Sequence, residues 1–349
     1  MVTATSRVQS SRSSIPLVVS GQHAQHRVRD RGYVEVPSRL PRILSALEPS
    51  GLFKRVEPRR FADPHIRAAH DPAFVRYLRR ACEEIPEGQF LYPYVFPLRY
   101  RDRMPKDREA LAGYFCFDTF TPLHRNAYRA ARHAADCALT AAREILKGRR
   151  LAYALVRPPG HHAERACFGG FCYLNNTAIA AHYLSAHGKV AILDVDYHHG
   201  NGTQDIFYGR ADVLTVSIHG HPRFAYPYFS GFEDERGAGP GEGYNLNLPL
   251  PEACDGARYR TALARALRAI TDFGPAFLVV ALGLDPAKHD PTGTWSLRAD
   301  DFRANGRMIG EMGLPTLVVQ EGGYCTRTLG LNCRSFFDGL LAVCLPHRP

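Results

Sequence analysis

Five short runs in this chain are apolar almost throughout: residues 151–156 (LAYALV), 189–196 (KVAILDVD), 213–218 (VLTVSI), 277–285 (FLVVALGLD) and 316–320 (TLVVQ). A strand with one face in water alternates in polarity, whereas a strand apolar at every position has to be covered on both sides. Helical patterns lie between several of the runs: residues 176–186 closed by Gly188, 255–273 closed by Gly274, and 298–312 closed by Gly313. The alternation predicts an α/β fold, a single domain whose mostly parallel sheet is covered by helices on both faces.

Ligands of open α/β sheets bind at the carboxyl ends of the strands. His161 and His162 follow the first run in RPPGHH, and Asp194, Asp196, His198 and His199 crowd the end of the second. Asp285 ends the fourth run, and Tyr324 follows the fifth. Burying two carboxylates and two imidazoles without partners costs several kcal/mol. Four strands that deliver polar groups to one edge therefore point to a site.

Asp196 and His198 are two positions apart and share a face of extended backbone. With Asp285 they make a set of two carboxylates and one imidazole, which suits a divalent transition metal better than magnesium or calcium. Three protein ligands leave a position open for water and substrate. The alternative for the three is a buried Asp–His pair with capping roles. His161 and His162 follow a rigid turn; beside a metal, one of them is a natural general base, with Asp194 and Asn201 as orienting partners. Loop capping is the alternative there. Tyr324, on a glycine-rich loop, can donate to a developing oxyanion. Phe168 and Phe171, in FGGFCYLNN, supply either an apolar wall or plain core.

The chain has 349 residues, 45% hydrophobic, and no apolar run near the roughly 20 residues that cross a bilayer. Its charge of +10 comes from scattered arginines, with only five lysines and no basic block interleaved with aromatics, so nucleic-acid binding is not expected. Nine irregularly spaced cysteines fit reduced thiols in a cytoplasmic protein. Cys167 and Cys172 have no second pair with which to form a four-cysteine zinc site. Residues 1–14, rich in Arg and Ser, read as a disordered tail, and 15–349 as one catalytic domain. A Pro- and aromatic-rich excursion occupies about 60–125, and a long helix is expected over 121–147.

In order along the chain, RPPGHHA, GGFCYLNN, LDVDYHHGNGTQDIFY, VSIHG, GLD…DP and EGGY resemble the histone deacetylase superfamily, with its arginase/deacetylase fold. Among its members the motifs look most like bacterial acetylpolyamine amidohydrolases and class II-like deacetylases. The resemblance implies one zinc per chain, held by Asp196, His198 and Asp285. It implies His162 as general base and acid with His161 supporting, Asp194 and Asn201 orienting the two, and Tyr324 polarising the scissile carbonyl. It also implies potassium near Asp194, Asp196, His198, Ser217 and Ile218.

The activity so implied is deacetylase-type hydrolysis of an acyl amide, with an acetylated polyamine or lysine-like amine as substrate. Polyamine-specific members read a distal ammonium with acids on the excursion. Glu109 matches one such position, but Phe120 stands at the second, with Asp118 nearby. The alternative substrate is a small neutral amide, including xenobiotic N-alkylamides such as dimethoate, held in an apolar slot of Phe168, Phe171 and Phe229. The aromatics of the excursion (Phe90, Tyr92, Tyr94, Phe96 and Tyr100) predict a homodimer or homotetramer. A manganese ureohydrolase needs a carboxylate where this chain has Ala287, and a non-catalytic module would be expected to lack Tyr324 or a ligand.

Overall fold

The computed structural model describes residues 14–96 and 102–344. In chain order the elements are β1 (Ile15–Val19), α1 (Arg39–Leu47), β2 (Phe53–Val56), α2 (Asp63–Ala69), α3 (Pro72–Glu84), α4 (Arg108–Tyr114), α5 (Ala127–Leu146) and β3 (Leu151–Leu155). There follow α6 (Asn176–Ser185), β4 (Val190–Asp194), α7 (Asn201–Phe207), β5 (Val213–Gly220), β6 (Asn245–Leu250), α8 (Gly256–Phe273), β7 (Phe277–Leu282), α9 (Ala299–Gly310), β8 (Thr316–Gln320) and α10 (Leu329–Cys344).

The eight strands form one sheet in the order β2-β1-β3-β8-β7-β4-β5-β6, every neighbouring pair parallel. Successive residues of the inner strands feed opposite cores. Ala152 and Ala154 of β3 join one apolar cluster, with α3, α5 and α6, while Tyr153 and Leu155 join the other, with α1, α8, α9 and α10. This two-sided burial is the reason the runs lack polar alternation. The four strands expected to carry the polar groups, β3, β8, β7 and β4, are adjacent in the middle of the sheet.

Helix ends follow local chemistry. The Asp255 side chain accepts the Arg258 N–H at 2.9 Å to start α8, and Gly274, at φ +65°, closes it in the left-handed conformation. One expected boundary is wrong. The helix predicted over 121–147 begins at Ala127, because the residues before it are held by tertiary contacts. Leu123 exchanges two backbone hydrogen bonds with Leu91 (2.8 and 2.9 Å), and Thr121 Oγ1 accepts the Phe171 N–H at 2.9 Å. Residues 1–13 of the expected tail, and Tyr100 of the aromatic excursion, lie outside the described residues.

Candidate active site

Asp196, His198 and Asp285 present ligand atoms that lie within 4.8 Å of one another. His198 Nδ1 is 3.2 Å from both Asp196 Oδ1 and Asp285 Oδ2. Backbone N–H groups fix the carboxylates from behind: Gly322 donates to Asp196 Oδ2 at 2.9 Å, and Tyr197 donates to Asp285 Oδ1 at 2.8 Å. Gly322 is required by this closeness, since a Cβ there would come within 2.6 Å of Asp196 Oδ2 and collide with Asp285. Burial, then the neighbouring Asp196, pushes the Asp285 carboxyl up to about 7. Two buried carboxylates this close resist joint ionisation, a conflict that a divalent cation removes. The N/O donor set suits a transition metal, so the residues present fit the zinc expected there.

A second cluster, His161, Cys172 and Glu321, also has its ligand atoms within 4.8 Å of one another. Its donors are already used. Glu321 accepts from the N–H groups of Gly160 (2.6 Å) and His161 (3.1 Å) and from Thr177 Oγ1 (2.7 Å), while His161 Nδ1 is bonded to Asp194. This cluster positions the histidine turn.

The rings of His161 and His162 are 4.0 Å apart but have different partners. His161 Nδ1 is 2.9 Å from Asp194 Oδ2, and His162 Nδ1 is 2.7 Å from Asn201 Oδ1. The Asn201 amide donates to Glu164 Oε1 at 2.8 Å, so its carbonyl faces His162. His162 Nδ1 is thereby the donor and Nε2 the acceptor. Burial is the largest influence on both imidazoles and lowers both. For His162 the neighbouring His161 and His198 lower it further, well below 6.5. For His161 the carboxylates of Asp196 and Asp194 reverse the effect and raise it to about 10. Such a split separates a neutral base from a charged partner.

Tyr324 is anchored by its backbone, whose N–H donates to Asp290 Oδ2 at 2.7 Å; Cys325 N–H donates to the same oxygen at 2.8 Å. The buried Arg39 guanidinium lies 4.8 Å from the Tyr324 ring centre and donates to the carbonyls of Gly323 (2.7 Å) and Glu321 (2.5 Å). Burial pushes the Tyr324 phenol well above 10, with Arg39 opposing, so it stays protonated and able to donate. Phe171 reaches the Tyr324 ring edge-on at 5.7 Å from a left-handed backbone, φ +67°. A non-glycine residue there is uncommon and clusters at functional positions.

Two expected substrate contacts are corrected. Phe168 is 1% exposed and stacks on Tyr173 at 5.8 Å, so it belongs to the core. Phe117, not foreseen, meets Phe229 edge-on at 5.6 Å, and Tyr226 stands edge-on to His162 at 4.9 Å. Asp118 is 8% exposed, and its carboxylate holds the Gly170 N–H and the Tyr226 hydroxyl, so it is not an acid of the rim. Glu109 is exposed at the start of α4, and Phe120 and Phe229 are 60% and 55% exposed. Asp194 pairs in register with Ser217 across β4 and β5, next to Ile218, and Ser217 Oγ is 2.8 Å from His219 Nδ1. Glu321 and Asp290 sit inside the EGGY and GLD…DP motifs, yet nothing in their spacing showed which atoms they hold. Arg39, 284 positions from Gly323, left no local signal.

The histone deacetylase domain family matches residues 33–340. Acetylpolyamine amidohydrolase of Burkholderia pseudomallei is 44% identical over 318 residues, covering 88% of this chain and 92% of the relative. Acetylpolyamine amidohydrolase 2 of Pseudomonas aeruginosa is 42% identical over 315 residues, with the same two coverages, 88% and 92%. A crystal structure of acetylpolyamine aminohydrolase from Burkholderia pseudomallei superposes with a TM-score of 0.89 at 41% identity, over 95% of this chain and 99% of that one. The HDA15 HD domain superposes at 0.79 with 30% identity, over 96% and 90% of the two chains. Fold and relatives together define a deacetylase-type amidohydrolase. The chain belongs to the histone deacetylase family.

Proposed function

We propose that this chain is a zinc-dependent amidohydrolase that removes the acetyl group from an acetylated polyamine or lysine-like amine. The observation that carries the reading is His162, oriented by Asn201 beside the Asp196–His198–Asp285 cluster, its ring 5.9 Å from that of His198. Zinc held by those three residues would supply Lewis-acid activation of the amide carbonyl and of water. His162 Nε2 accepts the proton of the attacking water and returns it to the leaving amine. Asn201 keeps the tautomer that makes this possible. His161, held by Asp194, supplies positive charge beside the developing oxyanion, and the Tyr324 hydroxyl donates to that oxygen. Phe171, Phe117 and Phe229 keep the acyl chain in apolar surroundings. The Asp194–Ser217–Ile218 region would hold potassium behind the zinc ligands.

Glu109 is the acid available to a distal ammonium. The polyamine names of the similar proteins support a cationic substrate. One observation favours the neutral amide instead: Asp118 is engaged internally and Phe120 is exposed where a second acid was expected. The exposed Tyr94, Val95 and Met104 suit a homodimer or homotetramer. A cytoplasmic setting agrees with the free thiols, Cys82 and Cys116 among them, and no described helix is long and apolar enough to cross a membrane.

The test is acetate release from N-acetylputrescine and from an uncharged N-alkylacetamide of equal length, before and after chelation and zinc repletion. Metal-dependent release with a preference of about tenfold or more for the charged compound supports the reading; that factor is about 1.4 kcal/mol of transition-state discrimination. Release that survives chelation overturns zinc dependence. A tenfold preference for the neutral compound transfers the substrate assignment to small neutral amides.

A further inference from the structure

Away from the catalytic groups, a cleft of about 870 Å³ opens between α3, the first turns of α5 and residues 58–63. Six arginines line it, Arg59, Arg60, Arg79, Arg125, Arg129 and Arg132, against three carboxylates, Asp63, Glu83 and Asp136. The carboxylates are already paired. Asp136 takes Arg132 (3.0 Å), Arg60 (3.2 Å) and the Phe61 N–H (2.9 Å). Asp63 takes Arg132 at 3.3 Å, and Glu83 takes Arg79 at 3.0 Å. Among the described residues, Arg129 reaches only the neutral Gln22, at 3.0 Å. Among the described residues, Arg59 and Arg125 have no ion-pair partner.

At the floor, Arg132 is 1% exposed and its Nε has no hydrogen-bond acceptor among the described residues. Leaving a buried donor unpaired is costly, more so when it is charged. Burial also lowers the Arg132 pKa, Asp136 only partly offsetting it. The cleft thus combines a buried guanidinium, paired to Asp63 and Asp136 but with its Nε unsatisfied, with three rim arginines that have no carboxylate partner among the described residues. Guanidinium forks match phosphate oxygens in bidentate fashion. The volume lies in the range of small-ligand sites, roughly 300–1,000 Å³, and the half-buried Tyr128 and His133 add ring faces to the wall.

We infer that this cleft binds a small polyanion carrying two or more phosphate groups, at a site separate from the amide-hydrolysing centre. Enclosure by three chain segments favours a compact ligand over a nucleic-acid strand, which would need a basic stripe along an open surface.

Inorganic pyrophosphate and ATP are titrated calorimetrically into the zinc-loaded wild type and into an Arg125→Ala/Arg129→Ala variant. Both residues are exposed, so the fold should persist; circular dichroism checks this, and Arg59→Ala/Arg125→Ala serves as a second variant. Any chelation of zinc by the probe is the same in all three proteins and cancels. The expected result is saturable binding of one equivalent with Kd below about 1 mM, weakened about tenfold or more in the folded variants. Equal binding in wild type and variants, or no saturation, overturns the assignment. A single-stranded oligonucleotide that outbinds ATP and is lost in the same variants would make the cleft a nucleic-acid site, and the small-ligand assignment would fall.

Discussion

The Tyr226 hydroxyl donates to Asp118 Oδ2 at 2.7 Å, and the Gly170 N–H reaches the same oxygen at 2.6 Å. This carboxylate ties the aromatic beside His162 to the loop that presents Phe171. It braces the wall of the candidate site, although its sequence position suggested an acid facing the substrate. Asp118→Asn should therefore lower kcat/KM for charged and neutral amides by the same factor. Glu109→Gln should reduce the charged substrate alone, by about 0.2–1 kcal/mol, or a few-fold, as for an exposed charge pair. Steady-state kinetics on both substrates decides. A selective loss of the charged substrate in Asp118→Asn would refute the brace.

The Tyr324 phenol stays protonated and sits on a loop fixed by Asp290 and Arg39. Tyr324→Phe should keep its zinc and lower kcat by about 10²–10³, as for removal of one oxyanion donor. Asp290→Asn weakens only the anchoring of the loop, so its loss should be smaller and should come with a lower melting temperature. Elemental analysis, kcat and thermal denaturation separate the two. An unchanged kcat in Tyr324→Phe would remove the residue from the mechanism.

How far the sequence carries these conclusions depends on whether a contact is local. β3, β4, β7 and β8 were legible because burial on both faces confines charged, amide and hydroxyl-bearing aliphatic side chains to their ends, Asp194 in β4 and Thr316 and Gln320 in β8. The edge strands were not: β2, FKRV, exposes its middle residues, and β6 holds Pro249 and two asparagines, a composition tolerated at an edge but atypical of a strand. That Asp196, His198 and Asp285 come together was legible because strand ends of one parallel sheet share an edge. The wall was misread at Phe168. Gly170 and Phe171 both have positive φ, which breaks the alternation from which facing is judged, and Phe117 lies in a separate segment altogether. Arg39 acts from far along the chain and carries no motif.

Asp285 accepts the Tyr197 N–H and faces His198, with no water-exposed surface. Asp285→Ala removes one of two negative ligands, so zinc binding and acetate release should both be lost. His162→Ala should keep stoichiometric zinc while losing comparable activity, and His161→Ala should retain more activity than His162→Ala. Zinc per chain by elemental analysis is the readout. Stoichiometric zinc in Asp285→Ala would show that the ligand set is wrong.

Tyr94, Val95 and Met104 are exposed large apolar groups on one stretch of the excursion. Their burial between subunits would remove apolar area worth about 25 cal/mol per Å². Light scattering should give a multiple of the monomer mass, and Tyr94→Glu with Met104→Glu should shift it toward the monomer. A monomeric wild type at micromolar concentration would overturn the assembly.

His70 lies buried at the end of α2, where its Nε2 accepts the Asn175 N–H at 2.9 Å and its Nδ1 donates to the Glu164 carbonyl at 2.9 Å. The first bond requires the neutral ring, because a protonated Nε2 cannot accept. Burial, against the opposing pull of the Glu164 carbonyl, lowers its pKa from 6.5 to about 4. The unfolded chain therefore binds a proton below pH 6.5 that the folded chain refuses until about pH 4. Stability from this group is fully present above the unfolded value and is lost as pH falls through that window. The loss at the lower end is about 3 kcal/mol. His70→Gln keeps a donor and an acceptor but cannot titrate. Its unfolding free energy should fall about 3 kcal/mol less than that of wild type between roughly pH 7 and pH 4, in denaturant titrations at each pH. The low-pH loss of metal affects both proteins equally and drops out of the difference. Parallel pH profiles for the two proteins would show that His70 is not held neutral by the fold.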